Sequence, residues 1–170
     1  MERGKKYILI VDDEPHLILA AEEACKDMGY ETLIAPDLET VVRLSHEAKD
    51  AGAEIILAVT DMEFGAFFGV APGKQVPYIL EQVFGHRYPV IVQSGTYLKD
   101  GEADGQKILE DDRFAGYIAK PWSIPALEAE VQRVLKAAYG HPALKEEHQG
   151  LRQTTLDQGE ILAHPKKLIA

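Results

Sequence analysis

An α/β fold built on a five-stranded, doubly wound parallel sheet is what this sequence predicts, and three observations predict it. Apolar runs only a strand long alternate with segments whose apolar residues recur at helical spacing, and the links between them are short. The run Glu54–Asp61 is too dense in apolar residues for a half-exposed strand and reads as one buried on both faces. Finally, four of the runs end on reactive or metal-liking residues. Ile8–Val11 precedes Asp12-Asp13, the third run closes on Asp61, Val90–Gln93 precedes Ser94, and Gly116–Ala119 precedes Lys120-Pro121. Open α/β sheets put their ligand sites at such strand ends.

Taken in order, Tyr7–Val11 is apolar throughout and reads as a central strand. Asp12-Asp13-Glu14-Pro15 puts acid and proline where a helix begins, and Leu17, Ile18, Ala21, Ala24, Cys25 and Met28 recur at helical spacing. Gly29 stops that helix, and Tyr30–Ala35 makes a second strand. Asp37 caps a second helix with Leu38, Val41, Val42, Leu44 and Ala48 expected inward, and Asp50-Ala51-Gly52 turns into the strand that ends at Asp61. This β-α-β-α-β order implies right-handed crossovers.

Past Asp61 the pattern loosens into the aromatic, glycine-rich Phe64–Gly69 and turn material at Ala71-Pro72-Gly73-Lys74. A helix is expected over Val76–Phe84, with Pro77 in its first turn and Gly85 past its end. The fourth strand is Val90–Gln93, followed by a polar loop over Gly95–Gly105 and a short helix near Gln106–Glu110. Tyr117–Ala119 is the fifth strand. Ser123 caps a last helix carrying Leu127, Val131, Val134, Leu135 and Ala138 on one face, and Gly140 closes it.

The expected organisation is one domain over 1–140 and a C-terminal extension over 141–170, the latter too short for an independent output domain. The net charge of −10 speaks against a direct nucleic-acid binder, which needs a basic face. No stretch has the apolar length of a membrane span, and the charged opening Met1–Lys6 has no signal-peptide core behind it. The single cysteine, Cys25, cannot form an internal disulfide and sits in a helical pattern where a buried thiol is expected. A cytoplasmic location follows from these readings. The six histidines lack metal-site spacing.

Five β-α units suggest the flavodoxin-like strand order 2-1-3-4-5, in which strands 1 and 3 flank the switch point. Asp12, Asp13 and Asp61 would then share one crevice and repel one another unless a cation lies between them. Oxygen ligands favour magnesium or manganese over zinc. Ser94 and Lys120, from strands 4 and 5, add a hydroxyl and an ammonium to the rim. The set makes a cradle for a phosphoryl group on a carboxylate.

These pieces resemble the receiver domain of two-component response regulators, the CheY-like family, over roughly residues 5–140. The matching segments are Ile8–Glu14, Val59-Thr60-Asp61, Gln93-Ser94-Gly95 and Tyr117–Trp122. Each is short, but their order and strand-end placement are specific as a set. The resemblance implies that Asp61 is the phospho-acceptor, taking its phosphoryl group from a histidine kinase or phosphotransfer protein. It implies that Asp12, Asp13 and Asp61 hold Mg2+ with help from the Glu63 backbone carbonyl. It makes Ser94 the hydroxyl switch residue, Tyr117 the aromatic that turns with it, and Lys120 the partner of the phosphoryl oxygens, with a cis Lys120-Pro121 bond. The implied role is a signalling module rather than an enzyme. Its outputs are protein contacts with a downstream target or a homodimer partner that the sequence does not name.

Each residue also has a plainer reading. Asp12 and Asp13 suit a helix N-terminus, Tyr117 a packed strand, Ser94 a turn and Lys120 a solvated surface. The chain departs from the family after Asp61. Gly65 and Phe67 stand where the family usually has proline and methionine, and the loop is longer and more aromatic. Phe64, Phe67 and Phe68 either pack over the sheet end or form a docking patch beside the site. Two other functions compete: a receiver-like interaction module that is never phosphorylated, and an aspartyl-nucleophile phosphatase. The second of these wants aspartate two residues after the nucleophile, where this chain has Glu63.

Overall fold

The apolar runs become five parallel strands. The computed structural model describes residues 1–64, 71–95 and 108–140. In it β1 (Lys6–Val11), β2 (Glu31–Ala35), β3 (Glu54–Asp61), β4 (Val90–Ser94) and β5 (Gly116–Ala119) form one sheet in the order β2-β1-β3-β4-β5. Every pairing is parallel. The helices are α1 (Pro15–Asp27), α2 (Leu38–Ala51), α3 (Val76–Phe84) and α4 (Ile124–Tyr139). Phe67, Phe68, most of the Gly95–Gly105 loop and the 141–170 extension lie outside the described residues. Of the short helix expected near Gln106–Glu110, residues 108–110 are described: Ile108 and Leu109 are helical and Glu110 is in a turn.

Strand side chains alternate between two cores. On one face Ile8, Ile10, Leu57, Val59, Ile91 and Ile118 pack with Ala24, Cys25 and Met28 around α1 and with Leu127, Val131 and Val134 of α4. On the other, Leu9, Val11, Ile55, Ala58, Val90 and Val92 pack against Val41 and Ala48 of α2 and Val76 and Leu80 of α3. The caps are where the residue types put them. Asp37 accepts from the Thr40 amide at 2.7 Å, Ser123 accepts from the Ala126 amide at 3.4 Å, and Gly85 and Gly140 end their helices left-handed at φ 81° and 69°.

Two expectations about what faces inward change, and the alternative left open at Phe64 is decided. The buried line of α2 is Val41, Ser45 and Ala48, which leaves Val42 about 100° around the helix and exposed. The Ser45 hydroxyl is tolerated inside because it donates to the Val41 carbonyl at 2.7 Å. Ala138 is exposed, one turn beyond the last inward residue, Leu135. Phe64 is 2% exposed and packs in the core with Val76 and Leu80, so its ring is unavailable for docking, and it takes the sheet-end packing role instead.

One irregularity was not legible in the sequence. Tyr7 pairs with Ile55 and Ile8 with Leu57, so Ile56 is an extra residue in β3. Tyr139, at the end of α4, donates its hydroxyl to the Ile56 carbonyl at 3.0 Å.

Candidate functional site

The site is the last layer of the α1/α4 face of the sheet. Along β1 that face reads Ile8, Ile10 and then Asp12; along β3 it reads Leu57, Val59 and then Asp61. Along β4 it reads Ile91 and then Gln93, and along β5 Ile118 and then Lys120. Strand alternation therefore delivers four polar side chains to one place, on top of an apolar stack that fixes them from below.

Lys120 is their common neighbour. Its Nζ lies 2.9 Å from Asp12 Oδ2, 3.0 Å from Asp61 Oδ2 and 3.2 Å from Glu14 Oε1, and its side chain is 10% exposed. Burial works against the Lys120 charge, but the Asp12 and Asp61 carboxylates outweigh it and hold the ammonium above its usual range. Asp12 is fully buried. Burial pushes its carboxyl up, against the opposing pull of the Glu14 amide and Lys120. Carboxylate oxygens of Asp12, Asp13 and Asp61 all lie within 4.8 Å of one another. Asp13 is exposed, so the group opens to solvent on its side.

The Asp61 carboxylate is divided between two tasks. Oδ1 accepts from the Glu63 amide at 3.3 Å, while Oδ2 faces Lys120. The Glu63 side chain is exposed. Ser94 closes β4 directly after Gln93 and is buried, while Tyr117, beside Val92 in the β4–β5 register, packs partly buried against the α2/α3 core. The Lys120-Pro121 bond is cis, as expected. All the predicted site residues that are described except Phe64 and Tyr117 thus stand at the carboxyl edge of the sheet, and Tyr117 lies two register steps before it.

Sequence reading missed the parts played by Glu14, Gln93 and Gly73. Glu14 looked like a helix-start acid, yet it pairs with Lys120. Gln93 is fully buried; its Nε2 donates to Asp12 Oδ2 at 2.7 Å, and its Oε1 accepts from the Trp122 indole at 2.7 Å. The available signal was an amide at a position where alternation demands an apolar residue. Gly73 looked like turn material, but the Pro72–Gln75 turn folds back so that its amide donates to the Met62 carbonyl at 3.2 Å.

No family model matches the chain, and no curated protein matches it. Solved structures do. A response-regulator receiver domain from Clostridium thermocellum aligns at 20% identity over 78% of this chain and 96% of its own, with a TM-score of 0.60. The signal receiver domain of a putative LuxO repressor protein from Vibrio parahaemolyticus aligns at 17% identity over 79% and 92%, with a TM-score of 0.61. The receiver domain of the hybrid histidine kinase CckA aligns at 25% identity over 76% and 98%, with a TM-score of 0.55. The chain has the fold of receiver domains. No helix among the described residues is long and apolar enough to cross a membrane.

Proposed function

We propose that this chain is a phosphoryl-accepting receiver module of two-component or phosphorelay signalling, with Asp61 as the acceptor. The observation that carries the reading is the Lys120 ammonium held between the Asp12 and Asp61 carboxylates at the switch-point edge of a receiver fold. The receiver module in this reading spans 1–140.

In the reaction, an Asp61 oxygen attacks the donor phosphorus, forming an O–P bond as the N–P bond of a phosphohistidine breaks. The bonding electrons leave with the imidazole, which takes up a proton. Lys120, already at 3.0 Å from Asp61 Oδ2, neutralises the phosphoryl oxygens, and the Ser94 hydroxyl donates to one of them. The Glu63 amide holds the other acceptor oxygen in place.

The donor set suits Mg2+: the clustered ligands are all carboxylate oxygens, and three carboxylates, Asp12, Glu14 and Asp61, meet one ammonium while Asp13 lies beside Asp12 and Asp61. Asp12, Asp13 and Asp61, with the Glu63 carbonyl, would hold it, and when bound it would screen the charge that builds up on the transferring group. Phosphorylation then biases the Ser94 segment and Tyr117 toward one of two arrangements and changes affinity for partner proteins. Those partners are a histidine kinase or phosphotransfer protein upstream and an effector protein, or a second copy, downstream.

Incubating the full chain with Mg2+ and acetyl phosphate should add one phosphoryl mass that Asp61→Asn abolishes. No adduct on the parent chain would instead identify an interaction module that works unphosphorylated. Steady turnover of phosphomonoesters would identify a hydrolase.

A further inference from the structure

Gln93 is a buried amide that the receiver chemistry leaves unused. It sits on a central strand, beside Asp61 in the β3–β4 register and beside Ile118 in the β4–β5 register, with no exposed surface. Both ends of its side chain are engaged. Nε2 donates to Asp12 Oδ2 at 2.7 Å, and Oε1 accepts from Trp122 Nε1 at 2.7 Å. Trp122, half-buried against the α1/α4 core, is thereby linked through one residue to a carboxylate at the far side of β3.

We propose that Gln93 is a positioning residue of the acidic site, clamping the Asp12 carboxylate while anchored on the Trp122 indole. The inference rests on the reading of Asp12, Asp13 and Asp61 as the Mg2+ site. Asp12 Oδ2 receives two donors, Gln93 and Lys120, and so has both lone pairs occupied. Oδ1 receives the Glu14 amide at 2.8 Å and keeps one lone pair. The clamp thus fixes which oxygen of Asp12 meets a cation and holds the carboxylate in one rotational setting. The fork is also directional. An amide whose oxygen is held by the indole can present only N–H to Asp12, so Trp122 sets the orientation of Gln93.

Two consequences follow. Removing the clamp weakens Mg2+ binding although Gln93 never touches the ion. And because Trp122 is the single tryptophan of the chain, its emission follows Mg2+ through Gln93.

The test titrates the full chain with Mg2+, reading affinity by calorimetry and Trp122 emission in parallel. The parent chain should show an emission change with the calorimetric midpoint. Gln93→Met, similar in length and apolar, should bind Mg2+ about tenfold or more weakly, the range seen when a residue orienting a metal ligand is removed, and its emission should no longer follow the metal. Parental affinity in that variant, or parental emission coupling, overturns the proposal. Trp122→Phe, which removes the anchor and leaves a ring in place, covers the case in which Gln93→Met does not fold. It should weaken Mg2+ binding by less than loss of Gln93, and unchanged affinity overturns the anchoring role. A parent chain that binds no Mg2+ removes the metal reading and this proposal together. A parent chain that binds Mg2+ but gains no phosphoryl mass removes only the acceptor reading, and the Gln93 result stands.

Discussion

Lys120 shows how charge holds the site together before any ligand arrives. Its ammonium contacts Asp12, Glu14 and Asp61, and two of these partners are almost without solvent. Breaking a buried ion pair leaves the remaining charge uncompensated, at a cost of roughly 3–5 kcal/mol. Lys120→Met should fall at or below the low end, about 2–3 kcal/mol, because burial already inclines Asp12 to hold a proton and so to relieve the repulsion. Urea denaturation at neutral pH measures this, and Mg2+ should recover part of the loss by replacing the missing positive charge. The Lys120 pKa in the folded chain is raised above its ordinary 10.5. Its contribution is therefore complete below that value and disappears as pH rises through the folded value. The parent and Lys120→Met curves should run parallel near neutrality and converge in strong alkali. Equal stability at neutral pH would mean that the ammonium does not hold these carboxylates.

Among the elements, the turn after β3 carries more weight than its composition suggests. A Cβ on Gly73 would collide with the Asp61 carbonyl oxygen and stand 2.9 Å from Met62 Cα, both backbone atoms that cannot swing aside. Gly73→Ala must therefore push the Pro72–Gln75 turn off the end of β3. Overpacking of this kind costs about 1–3 kcal/mol, and here it also disturbs the peptide that sets the Asp61 side chain. Gly85→Ala is the matched control. It has open space but a φ of 81°, so it loses stability through backbone strain at the other edge of the sheet. Phosphorylation by acetyl phosphate should slow in the first variant and not in the second. Equal rates would reduce Gly73 to a packing residue. The contrast between these glycines also marks what the sequence could reveal. Gly85, like Asp37 and Ser123, acts on its own helix end, so local spacing exposes it. Gly73 acts on a strand more than ten residues earlier, and Gln93 on Asp12 and Trp122 through the fold. Asp12, Asp61 and Lys120 were legible for a different reason: each simply continues the alternation of its strand. Ser45, Val42 and Ala138 show the limit of helical periodicity, which gives a stripe but not which edge of it the sheet covers.

Across the whole molecule the sheet separates two jobs. The acidic layer rests on the α1/α4 core, whereas Tyr117 belongs to the α2/α3 side, and β4 and β5 join the two. The integrity of the first core can be read from Cys25, which has no exposed surface and lies among Ala21, Ala24 and Met28 of α1 and its neighbours. Burial, with Glu22 and Glu128 adding to it, pushes the thiol from its ordinary 9.0 up to about 12. The unfolded chain releases this proton near pH 9 while the folded chain keeps it. Stability is thus unaffected below pH 9 and falls as pH rises from there toward 12, with a slope of up to about one proton. Tyr139, raised to about 12 by burial, and Lys120 titrate in the same region. Both remain in Cys25→Ala, so they cancel when that variant is subtracted from the parent. Cys25→Ala should be less stable at pH 7, because a buried sulfur is missing, and the gap should narrow steadily above pH 9. Thiol-specific reagents should meanwhile label the parent only as fast as it opens. A gap that stays constant from pH 7 to alkali, or labelling at the rate of a free thiol, would mean that the α1/α4 core admits solvent at Cys25, and that the acidic layer above it stands on looser packing than the structure shows.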